Sequence, residues 1–420
     1  MMADAGAGTV ATPDSPAGAH RSRWFIVAIL LLAVTTAFFD RINIGVLFTD
    51  LSFLTTLGIK GKPAMMGLLM TTFVFAYGVS AVLLSFLSDV IGPRKLLVLI
   101  TALLAVAMGW MGMVGAYGAM VFGRIVLGAA EGPQFGAANA VVKHWFPPQE
   151  QSFANSIWTI GSPVGSALGF PLVFFLVAHY GWRSSFHTLA ILNAIVVLPV
   201  LWIFLKDFPS AEVAKAYSLQ PKQGDLSFRA SLNVFIRDWR FWMLAIYDTG
   251  AMVYLWGFNS WLPAYLRSFR HLDLTRAGLY SALPFVLMLF GEVIGAKLSD
   301  KLQRRAIFCF VGLIAAGLCI LMAALSPSAT AAAWYLAWSA FFWGATVPTL
   351  FALGFQIIPA RVTATGFGVY AGLANLIGAM APWLMGWVIG RAGNYNHGLA
   401  VLVLSCIILA FPMVPLLRKY

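Results

Sequence analysis

Four ionisable residues, Asp40, Arg41, Arg124 and Glu131, lie within long apolar runs, where a charge is costly and therefore a functional candidate by default. The guanidinium of an arginine is a planar fork matched to a carboxylate, so Arg41 and Arg124 are candidate anion ligands. Asp40 and Glu131 are candidate proton carriers. With both acids ionised the four charges cancel and each arginine has an internal partner; protonating either acid frees a guanidinium. Proton uptake and anion binding would then favour each other, which thermodynamically is symport, and a coupling of about 1–3 kcal/mol links two sites by about 5- to 150-fold. The competing interpretation is a set of neutral salt bridges that only ties helices together, a role apolar packing fills without burying charge.

The spacing makes convergence plausible. Arg124, Gly128 and Glu131 follow an i, i+4, i+7 pattern and share one helix face. At 1.5 Å of rise per residue, Asp40 and Arg41 fall about 6 Å above the middle of their helix, Arg124 roughly 9 Å above the centre of its own, and Glu131 near the midplane. Tyr77 reaches a similar height on another helix. Two further acids, Asp248 and Glu292, are read as a second relay or as a gate with Lys297, and a structural role for them stays open. The aromatic groups Trp256, Phe258, Trp261 and Trp338, Phe341, Phe342, Trp343 could line the cavity, with lipid-facing or interfacial positions expected for most of them.

The elements that must hold these residues follow from composition. Of 420 residues 60% are hydrophobic and only 10% charged, outside the range of soluble domains. Apolar runs of roughly 20 residues, enough to cross about 30 Å of hydrocarbon, recur twelve times: 24–48, 64–88, 95–115, 118–142, 153–178, 184–205, 240–266, 277–299, 305–325, 331–358, 362–390 and 397–417. The expectation is an all-α membrane protein of twelve transmembrane helices. A disordered cytoplasmic tail occupies 1–23, a first six-helix bundle 24–206, a cytoplasmic linker 207–239 with a short amphipathic helix near 212–217, and a second bundle 240–420.

Most of the 27 Lys and Arg fall in loops on the side of the two termini, so the net charge of +12 reads as the positive-inside rule, with both termini cytoplasmic in an inner membrane. No basic cluster resembles a nucleic-acid patch. Cys309, Cys319 and Cys406 lie in the spans and indicate no disulfide framework, and the six histidines lack metal-ligand spacing. No metal, cofactor or catalytic set is expected, so the chain is not read as an enzyme. The expected partners are lipid and a small solute, with the chain acting as a monomer.

The loop Leu87, Ser88, Asp89 to Arg94 recurs as Leu298, Ser299, Asp300 to Arg305, each matched pair 211 positions apart, which makes the chain an internal repeat of two pseudo-symmetric halves. An acid, a turn and basic residues at this loop in both halves resemble the major facilitator superfamily. That resemblance implies the major facilitator fold and a cytoplasmic gate network of Asp89, Arg94, Asp300, Arg304 and Arg305. Val90 departs from the usual basic residue of the first copy, and Gln303 from the usual glycine of the second.

A second resemblance covers nearly the whole chain. Asp40, Arg41 and Asn43, then Arg124, Gly128, Glu131 and Gly132, followed by Trp145, Phe146, Pro147 and Glu150, are similar to the anion:cation symporter family. Gly181, Trp182, Arg183, Trp261, Pro263, Tyr265, Pro359, Gly366, Asn375 and Pro382 extend the match. The resemblance implies import of a small organic anion, a sugar acid or an aromatic or aliphatic carboxylate, with protons by alternating access. In it Arg41 binds the anion, Arg124, Tyr77 and Asn375 line the same cavity, and Asp40 and Glu131 carry protons. Phe38, Phe351 and Ala371 stand where sugar-acid members tend to carry hydrogen-bonding groups or tryptophan, which favours a less hydroxylated substrate. An efflux antiporter of the same fold is the alternative. Its helix 5 motif is broken by Ser166 and Ala167, although Gly161, Gly165 and Gly169 form a small-residue packing face. A non-transporting receptor or sensor is a weaker rival.

Overall fold

The computed structural model describes residues 17–210, 234–359 and 362–419, and the amphipathic helix expected at 212–217 lies outside them. The first half contains α1 (Ala17–Leu47), α2 (Pro63–Leu84), α3 (Pro93–Met113), α4 (Tyr117–Glu131), α5 (Gln134–Trp145), α6 (Pro148–Thr159), α7 (Gly161–Tyr180), α8 (Trp182–Ile191) and α9 (Leu198–Phe204). The second contains α10 (Trp239–Ala264), α11 (Leu274–Leu302), α12 (Arg305–Leu325), α13 (Ala329–Ile357), α14 (Thr363–Gly378), α15 (Ala381–Ala392) and α16 (Tyr395–Ala410). These helices make twelve crossings, six in each half, because α4 with α5, α6 with α7, α8 with α9, and α14 with α15 continue one another in pairs.

Ten stretches among the described residues are long and apolar enough to cross a membrane. Of the other two crossings, the fourth is interrupted and the seventh is diluted by polar residues. In the fourth, α4 ends at Glu131 and Gly132–Pro133 interrupts the helix before α5. The seventh, α10, is long enough but diluted by Asp248 and Asn259. Large apolar side chains such as Val106, Phe122, Phe175 and Leu404 remain exposed, as lipid-facing positions require. Helix α1 starts at Ala17, seven positions before the expected first span, whose apolar part begins at Arg23.

Close backbone approach sets the depth of the charged groups. A Cβ on Gly128 would stand 2.2 Å from the Phe73 carbonyl oxygen, so only glycine lets α4 lie against α2 at this height. That contact brings the turns carrying Arg124 and Glu131 alongside Phe73 and Tyr77. The second half repeats the device between α11 and α13, where a Cβ on Gly291 would meet the Phe341 carbonyl oxygen at 2.1 Å. The small-residue face on α7 packs on α1, with Gly165 against the Thr35 carbonyl.

The two halves press together on the side remote from the chain termini. A Cβ on Gly67 of α2 would reach the Pro382 carbonyl at 2.1 Å, and one on Gly386 of α15 the Pro63 carbonyl at 2.3 Å. Phe170 of α7 faces Phe285 of α11 at 5.5 Å between ring centroids, and Thr71 Oγ1 accepts from the Trp383 amide at 3.2 Å. This end of the interface is shut.

The repeated loops both turn through a residue of positive φ, with different ψ, 143° at Gly92 and 20° at Gln303. Gly92 has φ +89° and Gln303, 211 positions later, has φ +52°. Only Gln303 is in the left-handed helical conformation, where it ends α11 with its side-chain amide donating to the Asp300 carbonyl at 2.6 Å.

Candidate functional site

The charged residues of the first half do converge, with pairings that differ from the expected ones. Arg41 donates to Glu131 from both Nε, at 3.2 Å, and Nη2, at 2.5 Å, and both bonds end on the single oxygen Oε1. Glu131 is fully buried, and its Oε2 has no hydrogen-bond partner among the described residues. Asp40 is also fully buried but pairs with neither arginine; its Oδ2 accepts from Asn193 Nδ2 at 2.7 Å. Arg124 donates from Nε to the Leu69 carbonyl at 3.1 Å, has Nη2 3.2 Å from Met70 Sδ, and lies over the Phe73 ring at 4.4 Å. The expectation that each arginine is held by an acid is therefore corrected for Arg124. Gly128 seats α4 so tightly on α2 that a backbone carbonyl satisfies its guanidinium first.

Arg41 is wrapped in aromatic rings. Its guanidinium carbon lies 4.1 Å from the Phe38 centroid, 4.9 Å from Tyr77, 5.2 Å from Trp256 and 5.6 Å from Phe73. Trp256 comes from the second half, and its Nε1 donates to Asn375 Oδ1 at 3.0 Å, while Asn375 donates to the Ala371 carbonyl at 2.9 Å. Tyr77 and Asn375 are only partly buried, so they form the accessible rim of a site whose acids are sealed. Both halves thus contribute to one cluster: charge from α1 and α4, aromatic and amide groups from α2, α10 and α14.

Phe38, flagged as a departure, lies directly against Arg41, whereas Phe351 is exposed and stacks on Phe367. The lipid-facing expectation fails for Trp256, Phe258, Trp261 and Trp343, all buried, and holds for exposed Trp338. The signal was present in α10, where these rings alternate with Gly257, Asn259 and Ser260 rather than with aliphatic residues. Asn193 gave no motif and was missed.

Asp248 is buried and Glu292 partly buried, and neither side chain has a hydrogen bond or ion pair among the described residues. At the loops, the Arg94 amide donates to Asp207 Oδ1 at 2.7 Å and its side chain to the Trp202 carbonyl, tying the start of α3 to the end of α9. Arg305 contacts Asp300 at 3.4 Å and the Ala352 carbonyl at 3.4 Å, and Arg304 is exposed. Asp89 lies on a short helix, Leu87–Ile91.

The comparisons agree with this architecture. The model of the Major Facilitator Superfamily matches residues 30–382. A probable sulfoacetate transporter of Cupriavidus necator is 28% identical over 90% of this chain and 89% of its own length. A hexuronate transporter of Bacillus subtilis is 22% identical over 88% of this chain and 89% of its own. Among solved structures, a bacterial homologue of the human lysosomal transporter Spinster, inward-facing and occupied, superposes with a TM-score of 0.78 at 19% identity, covering 95% of this chain and 97% of the other. A D-xylose–proton symporter gives 0.72 at 14% identity, covering 93% and 97%. The chain belongs to the Major Facilitator Superfamily and is a multi-pass membrane transporter, not an enzyme.

Proposed function

We propose that this transporter imports a small organic anion together with protons by alternating access, as a monomer in the inner membrane with both termini cytoplasmic and no cofactor beyond the coupling ion. The observation that carries the reading is the buried Arg41–Glu131 pair, in which the arginine that fits an anion is occupied by an acid that can be neutralised. A proton on Glu131 removes the charge that holds Arg41, and the guanidinium fork becomes free for a carboxylate or sulfonate. Conversely, an anion at Arg41 displaces Glu131 from its partner and favours its protonation. The two events help each other, as symport demands.

The relatives named for sulfoacetate, hexuronate and galactarate/D-glucarate support an anionic substrate. Four rings around Arg41, with Asn375 as the amide at the rim, suit a compact anion with few hydroxyls better than a polyhydroxylated one. With the termini cytoplasmic, the shut face is the external one, and Asp89, Arg94, Asp300, Arg304 and Arg305 serve as gate residues on the internal side.

Glu131→Gln in proteoliposomes tests the reading, with sulfoacetate as the first probe and a panel of organic acids behind it. Counterflow at equal pH should persist while accumulation driven by a pH gradient is lost. Normal accumulation by the variant, or uptake that follows a sodium gradient and ignores pH, would overturn it.

A further inference from the structure

The sixth crossing is not a uniform α-helix. Between α8 and α9 the backbone widens into a π segment, Leu192–Val197, in which the Leu198 amide donates to the Asn193 carbonyl five residues back. Such segments insert a residue into a helix, re-aim side chains and recur at functional sites. Here the re-aimed side chain is Asn193, 1% exposed, which donates to fully buried Asp40 at 2.7 Å. An unpaired oxygen remains on each partner: Asp40 Oδ1 and Asn193 Oδ1 are both buried and have no hydrogen-bond partner among the described residues.

Buried polar atoms are nearly always satisfied, so two orphan acceptors on one bonded pair call for an explanation. An amide offers both a donor and an acceptor, so it can serve a carboxylate in either protonation state. One proton added to Asp40 Oδ1 supplies the donor that the pair lacks. The charged groups acting on Asp40 are Glu131 and Arg124 of α4, with Arg41 beside it in sequence; Arg41 is committed to Glu131 and Arg124 to the Leu69 carbonyl.

We propose that Asn193 is a positioning residue that, from its π segment, holds Asp40 as a proton site separate from the Arg41–Glu131 pair. It deepens the proton-coupled reading and rests on it. The first half then has two stations, one where a proton competes with the anion-binding arginine and one where a proton is held by an amide without an arginine.

The test is pH-difference infrared spectroscopy of the purified protein in lipid vesicles, following the carbonyl band of protonated buried acids, beside sulfoacetate uptake driven by a pH gradient. Asp40→Asn should remove one band. Asn193→Ala should displace that same band and move its titration midpoint by about one pH unit, a tenfold change in proton affinity. Asn193→Gln, which keeps an amide on the segment, should return the midpoint toward the wild type and guards against a folding loss. An Asp40 band unchanged in position and midpoint in both Asn193 variants would overturn the proposal. If instead the bands behave as expected but wild-type uptake of every acid tested ignores the pH gradient, the pairing stands and the proton-coupled reading fails.

Discussion

The two halves share a fold and a loop repeat, yet they treat buried charge differently. In the first half every intramembrane charge has a partner: Glu131 for Arg41, Asn193 for Asp40, the Leu69 carbonyl for Arg124. In the second, Asp248 and Glu292 have none among the described residues, and the groups aimed at the site are an aromatic ring and an amide. On the proposed function a linked set of charges takes up a proton together with an anion, while rings and amides only shape what fits beside it. On that reading, coupling belongs to the first half and selection to the second.

The largest expected effect lies at Arg41. Arg41→Lys keeps the charge but loses the fork, and truncating one partner of a buried pair costs about 2–5 kcal/mol, so affinity for sulfoacetate or another accepted acid should fall about 30-fold or more. Binding to purified protein measures it; a loss under threefold would remove the arginine from the anion site. Next is Trp256→Ala, which deletes a ring from the Arg41 cage and strands Asn375; the KM should rise about tenfold, with the preference among acids altered. A uniform loss of maximal rate with unchanged preference would assign Trp256 to stability instead. Asp248→Asn and Glu292→Gln should leave the ratio of driven uptake to counterflow within about twofold, because neither acid is linked to another charge. Loss of driven uptake in either variant would break the contrast between the halves.

The smallest effect is at the edge of the second half. Asp238 caps α10, accepting from the Arg240 amide at 2.9 Å, and its side-chain bond to Arg240 holds the carboxyl below the ordinary range. A depressed carboxyl stabilises the fold above its ordinary titration and loses that contribution as pH falls through its folded value. Asp238→Ala should therefore cost about 1 kcal/mol or less near neutral pH, and thermal melts of variant and wild type should converge in strong acid.

Much of this was legible from types and spacing. Hydropathy located the crossings because lipid forces backbone hydrogen bonds to close within each helix. The i, i+4, i+7 pattern put Arg124 and Glu131 on one face. What spacing could not provide was the choice of partner. Arg124 turns to a backbone carbonyl because glycine packing brings α2 within reach, a contact between residues 55 positions apart. Asp40 finds Asn193 across 153 positions through a π segment with no sequence signature. The sequence leaves Trp256 open between cavity and interface because a tryptophan looks alike in a run of letters whether it faces lipid or an arginine.

The central claim is that an anion and a proton open the same buried pair cooperatively, the anion taking Arg41 and the proton taking Glu131. Calorimetric titration of wild-type protein with an accepted acid, repeated in buffers of different ionisation enthalpy, counts the protons taken up on binding. The account predicts net proton uptake near neutral pH, abolished or reduced in Glu131→Gln. Binding with no proton uptake at any pH across the neutral range would contradict it.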